Sequence, residues 1–569
     1  MFSWRVLLSV TLILAAARAQ TPFALTWSNK TYGPDGPWTA VSVTVGTPGQ
    51  SIDLYPGASW YSSILVSSLC NNYTLSLLCY ADEAGVYDFE QSSSDGNVTD
   101  PEWAYANTFP MGGYLETNSF YDTVGLSNGV SVPNVSLSGV FEGSQTYPDG
   151  TSYPLEVGYL SMGAPALYEK EDGDRMMYIP SWLYTSGGSN QTPSYSYTMH
   201  LGSAANPQIP GSLLLGGYDE ARVLGNVTTQ SFQSGSSRFI IGLQDIGLGV
   251  ASGSSPWADF DSKSGLLAQS NDSIIPPVSA DIDPTKPYFY FPQSTCDAIA
   301  ANLPVYFQKK YGLYFWNTTD PMYNKLITSP AYLSFTFLQD SSDTDTLTIR
   351  VPFALLNLTL EAPLIANPTP YFPCITSTGT IVTGYKFGRA FLQAAFLGVN
   401  YGTGSGSAAA TWFLAQAPGP SLPDSSISSI NVTDTTIDSM SSVEWADTWA
   451  SYWTPLSSSS SQSTSSASSK SLGDNGLSAG EIAGISVGSV VGGLLIFGLA
   501  FFIFRSRLNN SKGKEGGKEG DQTSDESISY GRRQLGPQML SDDMEAIQKG
   551  EHHVVELTGT TRPVHEVPT

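Results

Sequence analysis

The sequence is poor in charge, and in basic charge above all. Charged residues make up 13% of the 569 residues, and 25 Lys and Arg face 50 Asp and Glu, a formal net charge of -25 at pH 7. Binding to nucleic acid needs clustered basic residues that neutralise phosphates. The composition therefore argues against a nucleic-acid partner, and it also disfavours contact between the folded part and an anionic membrane surface.

Cysteine and histidine are scarce as well. Four Cys in so long a chain do not make a disulfide scaffold, although they suffice for two crosslinks. Of the four His, three lie at positions 552, 553 and 565, which leaves His200 as the only one in the first 500 residues. A His-rich metal site or a His-based catalytic triad is hard to build from one imidazole. We therefore expect no metal site and no cofactor.

Two apolar segments predict the topology. Residues 1–19 resemble a secretory signal peptide, with Arg5 before the apolar run and small residues at the expected cleavage site. Residues 479–504 form a second run, uncharged from Ile482 onward, which is long enough to span the hydrocarbon core. Arg505 follows directly and places the 505–569 tail in the cytoplasm. The expected protein is a single-pass type I protein of the plasma membrane or another secretory-pathway membrane.

Potential N-glycosylation sites agree with this topology. Ten Asn-X-Ser/Thr sequons precede the second apolar run, at Asn29, Asn72, Asn97, Asn134, Asn190, Asn226, Asn271, Asn317, Asn357 and Asn431. Asn509 also fits the pattern but lies on the cytoplasmic side, so we expect no glycan there. Residues 20–481 contain 14 basic and 39 acidic residues, which predicts an acidic, glycosylated ectodomain.

Residues 20–417 predict an all-β body. The 30 Tyr, 25 Phe, 55 Gly and 36 Pro of the chain suit short strands joined by turns. Strands are predicted, for example, at Trp38–Val45, Ser212–Leu215 and Thr346–Val351. The longest helical pattern covers Cys296–Tyr311. About 400 residues exceed one ordinary core, so two lobes are expected.

A sharp change of composition follows at Pro418. The 418–478 segment contains a run made almost entirely of Ser, Thr, Ala and Gln, which cannot bury apolar surface and predicts a disordered stalk. Trp445, Trp449 and Trp453 interrupt its first part. Two interpretations of these residues stay open: docking on the body, or a short amphipathic helix.

Several segments resemble the pepsin-like aspartic protease family in the right order. The turn Val45–Gln50 is similar to the one before the family's first catalytic Asp, and Asp122 lies in a segment like the strand that leaves the flap. Gly211–Asp219 and Phe387–Leu392 resemble later family segments. The resemblance covers residues 38–417 and implies a bilobal pepsin-like fold, with lobes at about 20–205 and 206–417.

The same resemblance implies the disulfides and the chemistry. It pairs Cys70 with Cys79 and Cys296 with Cys374. In this family two Asp residues share one proton and hold a water between them, so one takes the water's proton while the other protonates the peptide carbonyl. Each Asp opens an Asp-Thr/Ser-Gly motif, whose hydroxyl helps to orient the carboxylate.

The first catalytic Asp is missing from this sequence. Counting eleven residues from Gly46 reaches Gly57, and the expected Asp-Thr-Gly-Ser reads Gly57–Trp60. Asp53 is the nearest acid, but on an extended strand it lies roughly 13 Å away. The second position is better matched: Asp283 precedes Pro292 by the family's nine residues.

The motif around Asp283 is also altered. Pro284 replaces the hydroxyl residue and Thr285 replaces the Gly. Asp281 is a competing candidate for the catalytic position, because residues two apart on a strand point to the same side. Loss of either carboxylate removes the acid/base pair. We therefore expect an impaired or absent aspartic endopeptidase activity.

Three functions remain open. The first is a cell-surface glycoprotein without peptidase activity that binds an extended peptide or another extracellular surface component. The second is an active membrane-anchored endopeptidase with a rearranged dyad, in which Asp53 or Asp281 joins Asp283. The third is a stalked adhesion or wall-contact protein. The sequence does not indicate the oligomeric state.

Overall fold

The computed structural model describes residues 20–71, 76, 78–97, 113–171, 174–233, 238–269, 271–339, 345–376, 384–404 and 408–457. The predicted signal peptide, membrane-spanning segment and cytoplasmic tail lie outside these ranges. None of the helices in the described ranges combines the length and the apolarity needed to cross a membrane.

The described chain is mostly β, as predicted. The strands of its first part are β1 Phe23–Ala24, β2 Trp27–Tyr32, β3 Trp38–Val45, β4 Gln50–Gly57, β5 Ser62–Leu65, β6 Gly96–Asn97, β7 Gly113–Gly125, β8 Ser131–Thr146, β9 Ser152–Pro154, β10 Gly158–Ser161, β11 Tyr168–Glu171, β12 Asp174–Met177, β13 Ser196–His200, β14 Ser212–Leu215, β15 Gly217–Asp219 and β16 Leu224–Gln233. The later strands are β17 Phe239–Val250, β18 Ser262–Lys263, β19 Val278–Ile282, β20 Phe289–Phe291, β21 Val305–Gln308, β22 Leu313–Trp316, β23 Ala331–Leu338, β24 Thr346–Pro352, β25 Leu358–Leu360, β26 Thr369–Phe372, β27 Cys374–Thr376, β28 Tyr385–Phe387, β29 Ala395–Asn400, β30 Ala408–Gln416 and β31 Ile427–Ser429. The α-helices are α1 Ile179–Ser186, α2 Gln293–Ala300, α3 Pro321–Thr328 and α4 Arg389–Leu392.

The sheets contain a duplicated arrangement of five strands. In the first copy, β10 lies between β4, to which it is parallel, and β5, to which it is antiparallel, while β3 and β8 flank the group. In the second copy, β28 lies in the same way between β19 and β20, and β17 and β27 flank it. Each copy has one predicted catalytic position beside its central loop. Gly57 ends β4, just before the loop to β5, and Asp283 begins the loop from β19 to β20.

A six-stranded sheet brings early and late parts of the chain together. Its order is β1-β14-β13-β29-β30-β16, so strands from the beginning, middle and end of the body are neighbours. Where one face of a strand is accessible to solvent, every second residue is buried. Along β23 the residues alternate in this way between buried and half-buried. Along β29 every residue is buried, because both faces of that strand are covered.

The segment after Ala417 belongs to the folded body as far as Ser457, and we call residues 418–457 the C-terminal strap. β31 pairs with β15, and Ile430 is fully buried beside Tyr218 and Phe413. Pro418 is therefore not the start of the predicted stalk. Composition counts residue types and carries no information about pairing partners. It therefore does not predict that this segment pairs with a distant strand.

The three Trp residues dock on the body. Trp445 and Trp449 begin and end one 3₁₀ turn, and both are buried together with Trp453. The ring of Trp445 meets that of Tyr332 at 5.7 Å, edge to face. Of the two interpretations left open, the structure supports docking.

Candidate functional site

The two loops that the duplication creates face each other. Gly57 is the last residue of β4, and Asp283 is the first residue after β19. A Cβ built on Gly57 would lie 3.4 Å from Cγ2 of Thr285, which is ordinary van der Waals contact. The structure thus places position 57 against Thr285, the residue that holds the Asp283 carboxylate, and at this contact β4 has glycine and no carboxylate.

Asp283 is half-buried and is oriented by its own loop. Its Oδ1 accepts hydrogen bonds from the hydroxyl of Thr285 at 2.5 Å and from the backbone N–H of Thr285 at 3.0 Å. The residue after Asp283 is Pro284, which has neither a hydroxyl nor an N–H. An orienting hydroxyl is therefore present, but it comes from the residue two positions after the Asp.

Asp281 is engaged elsewhere. It is buried, and its Oδ2 lies 3.0 Å from Arg238 Nε and 3.2 Å from Lys386 Nζ. Lys386 lies directly opposite Asp281 in the parallel pair of β19 and β28. A buried carboxylate held by two cations stabilises this pairing, so Asp281 is poorly suited to share a proton with Asp283.

The carboxylate of Asp53 is also engaged, by three hydroxyl donors. Its carboxylate accepts hydrogen bonds from the hydroxyls of Ser42 at 2.6 Å and Tyr32 at 2.5 Å, and from Ser28 Oγ. Burial acts to raise the pKa of Asp53, but these three hydroxyls outweigh it and lower the pKa below its ordinary value. Asp53 therefore stays ionised within a polar cluster between β2, β3 and β4.

Two cations that the sequence analysis did not select lie at the Asp283 loop. Lys286 is 4% exposed, and burial lowers its pKa to about 8 although the charge of Asp283 opposes the shift. Arg389, at the start of α4, donates from Nη1 to the carbonyl of Thr285 at 3.0 Å, and its guanidinium lies 4.3 Å from the ring centre of Tyr55. A loop with one carboxylate and two nearby cations differs in charge from a site with two carboxylates.

Tyrosine hydroxyls join the two copies of the duplication. Tyr159 on β10 donates to the carbonyl of Thr285 at 3.0 Å. Tyr288 donates to Oδ2 of the buried Asp35 at 2.7 Å, and its oxygen is 3.0 Å from that of Tyr147. Asp35 was also missed, because one acid in a Pro- and Gly-rich turn resembles any turn-forming Asp.

His200 does not contribute acid–base chemistry. It is fully buried, its Nε2 lies 3.0 Å from the carbonyl of Gln393, and Arg222 Nη1 is 3.5 Å from its Nδ1. Burial and the neighbouring Arg222 lower the pKa of His200 to about 3. The imidazole is therefore neutral at physiological pH and serves as a structural link between β13 and the chain after α4.

The structure pairs the cysteines as the resemblance implied. Cys70 bonds to Cys79, with 5.1 Å between their Cα atoms, and Cys296 bonds to Cys374, with 5.9 Å. Asp82 lies close to the first pair. Because both sulfurs are used in the disulfide, they are not the thiolates that a metal ion would require.

The described sequons differ in exposure. Asn29, Asn134, Asn226, Asn317 and Asn431 are exposed. Asn190, Asn271 and Asn357 are half-buried, and the last two use their side-chain amides in hydrogen bonds with Ser294 and Tyr323. The side chains of Asn72 and Asn97 lie outside the described residues.

No protein-family model matches the chain, and a search of curated proteins finds no similar sequence. The arguments about this site therefore rest on its residues and their geometry.

Proposed function

We propose that the chain is a cell-surface, single-pass type I glycoprotein whose ectodomain is pepsin-like and bilobal, lacks peptidase activity and binds extended peptides. One observation carries the proposal: Gly57 stands where the β4 loop meets the Thr285–Asp283 turn. The general acid/base pair of an aspartic endopeptidase needs a second carboxylate close to the first.

The engagement of the neighbouring acids supports the absence of a rearranged dyad. Asp281 is paired with Arg238 and Lys386, and Asp53 accepts from three hydroxyls. The nearby Lys286 is an amine and supplies no second carboxyl group for an aspartic dyad.

A pepsin-like cleft can still bind a peptide after its catalytic acids are lost. An extended peptide is held through backbone hydrogen bonds and side-chain pockets, and neither requires a catalytic acid. The duplicated strands and their facing loops supply a β-rich scaffold of this kind.

Two assays on the purified full chain test the proposal. In the first, the chain is incubated with acid-denatured protein at pH 3 to 6, with and without pepstatin; we expect no pepstatin-sensitive cleavage, and its appearance would contradict the loss of activity. In the second, the immobilised chain is exposed to a random peptide library. Retention of a consensus peptide supports the binding role, and failure to enrich any sequence overturns it.

A further inference from the structure

The hairpin of β21 and β22 lies at one end of a four-stranded sheet, whose order is β21-β22-β26-β25. β21 pairs with β22 on one side, and no described strand pairs with its other side. β22 is buried along its whole length, whereas the middle of β21 is exposed. An edge strand of this kind presents backbone groups with which another chain can pair.

The hydrogen bonds of the hairpin show which backbone groups face the open edge. The carbonyl of Pro304 accepts from the N–H of Asn317 at 2.8 Å. The carbonyl of Gln308 accepts from the N–H of Gly312 at 3.0 Å, so both carbonyls point towards the β22 side. Backbone groups alternate in direction along a strand of an antiparallel pair, so those of Phe307 point outward. In the described chain no other segment bonds to the N–H or the carbonyl of Phe307.

Two exposed aromatic side chains lie on this edge strand. Tyr306 is 52% exposed and Phe307 is 42% exposed, and as consecutive strand residues they lie on opposite faces. Between ring centres, Tyr306 lies 6.0 Å from Phe315 of β22, and Phe307 lies 5.2 Å from Tyr314. A strand added beside β21 would therefore cover apolar surface on both faces while it completes the backbone hydrogen bonds.

Basic charge follows the open edge directly. Lys309 and Lys310 are exposed, and they are the only two adjacent basic residues between positions 20 and 481. The ammonium of Lys310 lies 5.1 Å from the ring centre of Tyr311 and is near Asp149. Lys309 takes part in none of the described ion pairs. This end of the edge therefore favours a partner with an acidic side chain.

We propose that the outer edge of β21 binds an extended acidic segment of a partner protein, which joins the four-stranded sheet as a fifth strand. The N–H and carbonyl of Phe307 pair with the backbone of that segment, Tyr306 and Phe307 contact its side chains on the two faces, and Lys309 pairs with an acidic residue. None of these residues belongs to the loops that carry Gly57 and Asp283, so the proposal does not depend on the function proposed for the cleft.

Selection of a random peptide library on the glycosylated full chain and on its Phe307→Pro variant tests the proposal. Proline removes the outward N–H, yet an edge strand tolerates it where that group faces solvent, so the hairpin should persist. We expect acidic peptides that bind Phe307→Pro at least about tenfold more weakly than the unmodified chain. Phe307→Val is the matched control, because it keeps the N–H and should weaken binding by only about threefold.

The acidic character of the partner is tested with the same peptides. Lys309→Glu should weaken their binding by about threefold. Lys325→Glu changes another exposed lysine, on α3, and should leave their binding unchanged. Peptides that bind in the cleft are told apart because they should bind all of these variants equally. Edge-binding peptides without acidic residues would contradict the proposed partner.

Hydrogen exchange of the unmodified chain covers the case in which Phe307→Pro fails to fold. The amide of Phe307 should exchange quickly in the free chain and about tenfold more slowly with an acidic library peptide bound, while that of Tyr306, which points towards β22, should be slow in both. The proposal is overturned if no peptide distinguishes the unmodified chain from folded Phe307→Pro, or if no acidic peptide slows the exchange of Phe307. A dimer of the chain that Phe307→Pro abolishes would also overturn it, because the edge would then bind a second copy.

Discussion

At the scale of single residues, the missing side chain of Gly57 decides the chemistry of the candidate site. Its φ is not in the left-handed region, and the space around it accepts a Cβ at ordinary contact distances. The position therefore does not require Gly for backbone reasons. Neighbouring Thr285 holds Asp283 by two hydrogen bonds, so a new carboxylate at position 57 would lie against a turn that already holds a carboxyl group in place.

This leads to the first prediction. Gly57→Asp places a second carboxylate near Asp283, and like charges at this distance should destabilise the folded chain at pH 7 by roughly 1 to 3 kcal/mol more than at pH 4. The measurement is the free energy of unfolding in urea at both pH values. Gly57→Asn is the control of equal size, for which we expect the same cost at both values.

An equal loss for Asp and Asn at pH 7 and pH 4 would mean that position 57 does not approach Asp283. Activity is a separate readout of Gly57→Asp. Any gain in peptidase activity should be small, because Ala58 supplies no hydroxyl to orient a carboxylate at position 57.

At the scale of elements, the C-terminal strap is the part of the body that composition misassigned. Its Trp449 is 1% exposed and stacks on Trp453 with ring centres 5.3 Å apart. The strap also reaches the end of α3, where the N–H of Thr454 donates to the carbonyl of Thr328 at 2.9 Å. These contacts bury apolar surface that the sheets alone would leave exposed to water.

The second prediction concerns these contacts. Trp449→Ala should lower the free energy of unfolding by about 3 to 5 kcal/mol, because a fully buried aromatic side chain leaves a cavity. Ile427 lies on the same strap but is 52% exposed, so Ile427→Ala should change stability by less than about 0.5 kcal/mol. Urea unfolding of both variants provides the comparison, and equal costs would show that the strap does not pack as described.

The predicted helix at Cys296–Tyr311 shows another limit of local patterns. The structure has α2 only as far as Ala300, followed by the hairpin of β21 and β22. Pro304 cannot continue a helix. Aromatic residues of this segment instead pair across the hairpin, as Phe307 does with Tyr314 at 5.2 Å between ring centres.

At the scale of the whole molecule, net charge and the exposure of the sequon Asn residues determine the character of the surface. Residues 20–481 are acidic, and five described sequon Asn residues are exposed while three are half-buried. Glycans are bulky and polar, so a glycosylated Asn must lie where the fold leaves room for the glycan.

The third prediction follows from this difference. Glycopeptide mapping of the protein from a secreting eukaryotic cell should find glycans at Asn29, Asn134, Asn226, Asn317 and Asn431. It should find little or none at Asn271 and Asn357, whose amides are used inside the fold.

The same mapping experiment tests the predicted topology through a built-in control. The tail sequon at Asn509 should carry no glycan, because a cytoplasmic segment does not meet the glycosylation machinery. A glycan at Asn509 would contradict the type I orientation, and full occupancy of Asn357 would contradict the burial described for it.

The sequence by itself determined the β-rich body and short strands such as Trp38–Val45 and Ser212–Leu215. It also determined that no carboxylate occupies position 57, since that is a matter of residue identity. These properties follow from local patterns, which a reading of neighbouring residues can detect.

The tertiary structure alone decided how the remaining acids are used. Asp53, Asp281 and Asp283 are chemically alike in the sequence, yet one accepts from three hydroxyls, one pairs with two cations and one caps its own loop. Several of their partners lie tens of residues away along the chain, as Lys386 does from Asp281 and Ser28 does from Asp53. Charge, burial and hydrogen bonding depend on such distant neighbours, and the fold alone brings them together.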